Sequence, residues 1–276
     1  MSTQRCDDGT DGVRRLAVVT GATAGIGHEL ARVFASEGFD LVIAAEDDRV
    51  STVVSELRAS GVEAHGVQVD LATRAGCETL AAEVEGRGRP VDALALNAGV
   101  GVSGPFLESG TLEDQLNVID LDVGHVVHLA HRLIPAMVAR GEGRVLITSS
   151  IVATVAAPYQ ATYSGSKAFL QSFSEALRQE IADSGVTVTA LQPGGTDTEF
   201  WERSGATEQD TKVTDTEFED PAKIARDGFD GLMRGDDHVA PGRLMNAVLA
   251  KAGSVLPDAV TAKLSSKLTK PGTSSD

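Results

Sequence analysis

From residue 16 onward, short runs of β-branched and other apolar residues alternate with longer segments whose apolar positions recur every three to four residues. The runs fall at 16–20 (LAVVT), 41–45 (LVIAA), 65–69, 92–96 (DALAL), 144–148 (RVLIT) and 186–191 (VTVTAL), with a short seventh at 238–240. Between them, helical periodicity predicts helices over 26–37, 49–60, 73–86, 112–140 and 160–183. Strands alternating with helices of this length close through right-handed crossovers into a parallel sheet. The chain therefore reads as α/β, a doubly wound parallel sheet of about seven strands with helices on both faces. No internal repeat interrupts the alternation, and nothing before residue 190 has the composition of a linker.

One position disturbs the pattern. On a straight helix over 112–140, Leu116, Ile119, Val123, Val126, Ala130, Leu133 and Met137 form a single apolar stripe. Asp122 falls only about 60° from the centre of that stripe, whereas Asp120 and Asn117 point roughly 100° and 160° away. Charges on helices usually sit on solvated flanks. A carboxylate at the edge of a buried seam needs a partner.

Residues 1–13 read as a polar, disordered leader, 14–270 as one domain, and 271–276 as a tail. The 24 residues from 197 to 220 contain nine acids and only Arg203 and Lys212 as bases. That segment is read as a lid or a solvated loop at a strand end. From 243 the sign reverses, and NAVLAKAGSVLPDAVTAKL is an amphipathic stretch suited to packing on the domain or on a second subunit.

Net charge is -16, which excludes a phosphate backbone or an acidic lipid surface as partner. No apolar run is long enough to span a bilayer or form a signal core, so a cytoplasmic protein is expected. Cys6 and Cys77 have no metal-ligand spacing, and neither a metal nor a disulfide between them is expected.

The first strand runs directly into TGATAGIG. Gly21, Gly25 and Gly27, with Thr23, Ala24 and Ile26 between them, open the first helix. A backbone without side chains there lets a phosphate approach the free amides and the positive end of the helix dipole. About 20 residues on, the second strand ends in Glu46, Asp47 and Asp48. Glu46 is placed to take ribose hydroxyls and to repel an additional phosphate, while Asp47 or Asp48 can equally cap the next helix. No Arg or Lys precedes Arg49 in this turn, which favours NAD over NADP. Ser150 ends the fifth strand, and Tyr163 and Lys167 lie four residues apart on one helix face. An ammonium beside a phenol lowers its pKa and makes it a usable proton shuttle, and a serine hydroxyl can stabilise charge growing on a substrate oxygen.

In this order and spacing the motifs resemble the short-chain dehydrogenase/reductase family. They are TGATAGIG for the family's TGxxxGxG, Asp70 in VDL after the third strand, LNAG at 96–99, Ser150, YSGSK for YxxxK, and PGGTDT at 193–198. The resemblance covers about residues 14–200. It implies a Rossmann-like fold and hydride transfer between NAD or NADP and a carbonyl or alcohol. Tyr163 would give or take the proton, Lys167 would lower its pKa and hold the nicotinamide ribose, and Ser150 would position the substrate oxygen. Asp70 and Leu71 would meet the adenine, Asn97, Ala98 and Gly99 would line the cleft, and Pro193, Gly194, Thr196 and Thr198 would flank the carboxamide and phosphates. Tyr159 lies outside the YxxxK spacing.

The family's usual fourth catalytic residue, an Asn that orders a water linking the lysine to solvent, maps onto Asp122. Asn117 lies about 140° around the helix and cannot replace it. An aspartate accepts hydrogen bonds but cannot donate as the amide does, and its charge would oppose the pull of Lys167 on Tyr163. A slower enzyme or a moved pH optimum is expected, the alternative being a dinucleotide-binding sensor or scaffold with weak or no turnover. Residues 100–107 (GVSGPF within them), 151–160, Phe200 and Trp201 suggest a small apolar carbonyl or alcohol substrate. By resemblance, helices 112–140 and 160–183 would pair subunits into a homodimer or homotetramer.

Overall fold

The structure is a computed structural model and describes residues 14–196, 200, 204 and 219–241. Its strands are β1 (Leu16–Thr20), β2 (Asp40–Ala45), β3 (Ala64–Gln68), β4 (Ala93–Leu96), β5 (Gly143–Thr148), β6 (Val186–Leu191) and β7 (His238–Val239). Its α-helices are α1 (Gly25–Ser36), α2 (Val50–Ala59), α3 (Arg74–Glu85), α4 (Leu112–Val118), α5 (His125–Arg140), α6 (Ala161–Glu180) and α7 (Pro221–Arg234). The strands form one sheet in the order β3-β2-β1-β4-β5-β6-β7, every pair parallel. This is the doubly wound, Rossmann-like architecture that the strand and helix alternation predicts.

Two apolar layers hold the sheet. One face is covered by α1, α2 and α7 through Leu30, Phe34, Val53, Leu57, Ile224 and Phe229, and the other by α3, α5 and α6 through Leu80, Leu129, Leu133, Met137 and Leu170. Because helices cover both faces, β1, β2 and β4 are buried along their whole length and read as continuous apolar runs, not as alternating ones. Among the described residues no helix is long and apolar enough to cross a membrane.

Two expectations are corrected. The helix expected without a break over 112–140 is interrupted by a π-helical segment, Ile119–Gly124, in which the His125 amide reaches Asp120 O, five residues back. A π turn advances less than 100° per residue, so the stripe extended back from Val126 slips out of phase. Leu116 and Ile119, placed in the buried stripe, are 52% and 42% exposed, while Val118 and Asp122 turn inward and are fully buried.

The second correction is α7, which is not among the helices expected above although its apolar positions recur at helical spacing. Asp220 caps it by accepting from the Ala222 amide, Pro221 opens it, and Gly235 ends it in the left-handed conformation. Phe229 then packs edge to face on Phe34, with centroids 5.1 Å apart. The leader 1–13, most of the acidic segment 197–220, Thr198 and Trp201 in it, and the basic stretch from 243 lie outside the described residues.

Candidate active site

In this strand order the chain leaves β1 toward β2 on one side, while β4 begins the other side. The crossovers diverge there and leave a crevice at the carboxyl ends of β1 and β4. The predicted residues arrive at that edge by connectivity: Gly21 after β1, Glu46 after β2, Asp70 after β3, Asn97 after β4, Ser150 after β5 and Pro193 after β6.

The glycine turn leaves a cradle. Gly21 has φ +67°, and a Cβ on it would stand 2.8 Å from Ala98 Cα; on Gly27 it would stand 2.1 Å from Gly21 O and 2.5 Å from Asn97 Nδ2. Side chains are therefore excluded where the turn meets the β4 loop. The α1 N-cap, Ala24, offers no side-chain cap and the first turn carries no acid, so its amides face the crevice without a protein carboxylate competing for them. The cradle and the uncapped helix fit the pyrophosphate of a dinucleotide.

Beyond the turn, Asp47 takes a larger part than Glu46, which is exposed. Asp47 accepts from Thr23 Oγ1 at 2.7 Å and from the Arg49 amide at 3.0 Å, and pairs with Arg49 Nη2 at 3.0 Å. Hydrogen bonds and charge from Arg49 and Thr23 hold its carboxyl below the ordinary value despite partial burial. Exposed Asp70 turns the chain into α3 through the Ala72 amide, and Leu71 is buried beneath it. Thr196 Oγ1 donates to Gly194 O, and Pro193 O receives the Ile151 amide.

Asn97 and Ala98 both donate their backbone N–H to Thr20 Oγ1, at 2.9 and 3.0 Å, and Asn97 Oδ1 accepts from Thr148 Oγ1 at 3.0 Å. Behind Thr20 lies fully buried His125, with Nε2 3.4 Å from Thr20 Oγ1 and Nδ1 on Leu121 O.

Tyr163, Lys167, Ser150 and Asp122 converge on one point. Ser150 caps the short turn Ile151–Thr154 by accepting from the Val152 amide at 3.3 Å, its hydroxyl lies 3.5 Å from Pro193 O, and its proximity exerts a small downward pull on the Tyr163 phenol. Lys167 Nζ lies 5.5 Å from the Tyr163 ring centroid, donates to Thr148 O at 3.2 Å and pairs with Asp122 Oδ2 at 3.3 Å. Asp122 also accepts from the Val100 amide at 2.9 Å, and the Ser166 hydroxyl lies 2.9 Å from Oδ2. A Cβ on Gly99 would come within 3.0 Å of Asp122 Oδ1 and 3.2 Å of Lys167 Nζ, so the loop after β4 rests on this pair.

Burial raises the Tyr163 pKa, Lys167 lowers it, and Asp122 raises it again, leaving the phenol above its ordinary value. Asp122 keeps Lys167 protonated against the cost of burial. Burial lifts the Asp122 carboxyl itself, against the pull of Lys167 and of the Val100 and Ser166 donors. Phe200 covers the phenol with ring centroids 5.1 Å apart, and the space it fills exists because residue 101 is glycine.

Thr148 and His125 are site residues that sequence reasoning did not single out; Thr20 was quoted only as the first residue of TGATAGIG, and Asp47 was named beside Glu46 as a carboxylate or helix cap. Thr20 and Thr148 stand at strand ends beside the named motifs, and that position was the available signal.

Residues 15–209 match the family described as short chain dehydrogenase. A short chain dehydrogenase of Pseudocercospora fijiensis is 34% identical over 188 residues, covering 67% of this chain; the chain spans 61% of that relative's length. A short-chain dehydrogenase from Sphingobium yanoikuyae, solved in complex with NADPH, superposes with a TM-score of 0.77 at 28% identity, over 89% of this chain and 97% of that one. A short chain dehydrogenase/reductase from Burkholderia phymatum, solved in complex with NAD, gives 0.74 at 25% identity, over 86% and 92%.

Burial, the Lys167 charge and its water-free surroundings hold His125 neutral down to about 4, with the Leu121 hydrogen bond acting the other way. An unfolded histidine takes up its proton near 6.5. Between those values the unfolded chain binds the additional proton, so stability falls as pH is lowered from about 6.5 to 4, by on the order of 3 kcal/mol from this residue. Urea unfolding of wild type and His125→Gln across that range checks it: the variant is expected to lose less stability over the same interval. Parallel curves would contradict the assignment.

Proposed function

This chain belongs to the short chain dehydrogenase family, and on that premise we propose that it is an NAD(P)-dependent oxidoreductase acting on a secondary alcohol or ketone. The observation that carries the proposal is Lys167 Nζ 5.5 Å from the Tyr163 ring centroid, with Ser150 on the turn after β5 and the glycine cradle at the same edge of the sheet. When bound, the nicotinamide supplies or accepts the hydride. Gly21, Thr23, Ala24, Gly25, Ile26 and Gly27 would hold the pyrophosphate, Asp70 and Leu71 would meet the adenine, and Asn97 to Gly99, Pro193, Gly194 and Thr196 would line the remainder. With Glu46 and Asp48 exposed at the ribose end and Arg49 engaged by Asp47, NAD is the preferred cofactor.

Ser150 holds the substrate oxygen and Tyr163 exchanges the proton with it, while Lys167 stabilises the phenolate and holds the ribose. Tyr163 in its neutral form would donate the proton to the alkoxide formed on reduction, and as phenolate it would take the proton from an alcohol on oxidation. The Phe200 ring and the small residues of the 100–104 loop favour an apolar substrate. We further propose a homodimer or homotetramer, built on Leu112, Leu116, Ile119, Val127 and Phe169, which stand exposed on the adjacent helical segments α4 to α6.

Assay of NADH and NADPH across a panel of apolar ketones tests the main reading. Turnover is expected with NADH and falls about a thousandfold in Tyr163→Phe while dinucleotide binding persists. Tight binding without turnover on any carbonyl, unrelieved by Asp122→Asn, would support the sensor or scaffold alternative. In the reduction direction, Asp122→Asn removes the charge that raises Tyr163, and the basic limb of the pH-rate profile is expected to move down by on the order of one unit. Superimposable profiles would remove Asp122 from the mechanism. For assembly, Leu116→Glu combined with Phe169→Glu is expected to reduce the solution mass to that of a monomer, and an unchanged mass would refute this interface.

A further inference from the structure

The hydrogen-bond chain joining the π-helical segment to the loop after β4 contains one buried titratable group that no role above uses. His125 Nδ1 meets a carbonyl, Leu121 O, which can only accept, so the ring proton is assigned to Nδ1 and Nε2 is left as an acceptor. Nε2 faces Thr20 Oγ1 at 3.4 Å. That hydroxyl already accepts two amides, Asn97 and Ala98, so both lone pairs are engaged and its proton must point away from them. In that direction the acceptors are Nε2 and, at 3.5 Å, Ala95 O. The imidazole thus sets the rotamer of a hydroxyl from which two consecutive amides hang.

Those amides carry the part of the loop with least room to move. Ala98 Cα is against Gly21 on one side, and Gly99 is against Asp122 and Lys167 on the other. A displacement of a few tenths of an ångström at Thr20 is therefore passed to the glycine cradle and to the lysine together. A side chain that merely filled the His125 cavity would preserve the packing and leave Thr20 without its Nε2 acceptor.

We propose that His125 is a positioning residue for the dinucleotide, fixing Thr20 and through it the height of the 97–99 turn. The inference rests on the cofactor site proposed above. It is tested by titrating NADH and NADPH onto wild type, His125→Asn and His125→Gln, with thermal midpoints and amide hydrogen exchange at Asn97 and Ala98 measured alongside. The Asn variant keeps a donor for Leu121 O but reaches too short for Thr20, whereas the Gln amide reaches the position of Nε2. His125→Asn is expected to weaken dinucleotide binding about tenfold, raise the cofactor KM in proportion, leave kcat within about threefold and speed exchange at both amides. His125→Gln is expected to restore binding to within about threefold of wild type.

Thr20→Val supplies an independent arm. It is expected to weaken binding to a similar degree, and its loss is not expected to add to that of His125→Asn. Wild-type affinity in a folded His125→Asn, fully additive losses with Thr20→Val, or equal losses in the Asn and Gln variants that track the thermal midpoint would each overturn the inference. Wild type that binds neither dinucleotide would overturn the functional reading, and this inference with it.

Discussion

Lys167 and Asp122 meet 3.3 Å apart in a place from which water is excluded, and the edge of the sheet is arranged around satisfying them. Removing two such ions from water costs several kcal/mol each, and their attraction offsets this only if their remaining hydrogen-bonding capacity is also met. Here it is met by three different segments: Thr148 O at the end of β5, the Val100 amide in the loop after β4, and Ser166 on α6. Ser149 Oγ fastens the same helix by donating to Lys167 O at 3.0 Å. The pair is thus the common tie of β4, β5, α6 and the π-helical segment, and it cannot be loosened at one end without leaving a charge buried alone.

The same pair makes the phenol beside it a balance of opposed influences. Lys167 favours phenolate, while burial and the Asp122 charge favour the neutral form. The uncharged Ser150 beside the phenol adds a smaller lowering influence of its own.

Much of this was legible in the sequence because the signals are local. A strand buried on both faces is an unbroken apolar run, a phosphate cradle requires glycines at fixed offsets, and Tyr163 and Lys167 share a face by helix geometry alone. What was not legible depends on residues far apart in the chain. The π turn has no composition of its own; it follows from Val118 and Asp122 finding partners inside, at the expense of exposing Leu116 and Ile119. His125 acquires a function only against Thr20, 105 residues away. Arg49 was visible as the base of this turn but not its partner, since its engagement with Asp47, which also accepts from Thr23, is a matter of turn conformation. Helix α7 was legible too: Ile224, Ala225, Phe229 and Leu232 recur at helical spacing on one face among charges, and its boundaries are written in Asp220, Pro221 and Gly235.

That helix has a consequence for how the chain is made. The edge-to-face trio of Phe34, Phe39 and Phe229 joins residues separated by nearly the whole described length, and Arg226 adds an ion pair to Glu37 at 2.7 Å. During synthesis on the ribosome, β1, α1 and β2 leave the exit tunnel well before residue 229, so Phe34 and Phe39 can pack on each other long before the third ring reaches them. Over the same interval β1 waits for its β4 neighbour, which follows β2 in the chain by two helices and a strand. Long-range closure of this kind is slow and leaves apolar surface open to association. The last described helix thereby completes the packing of the first one.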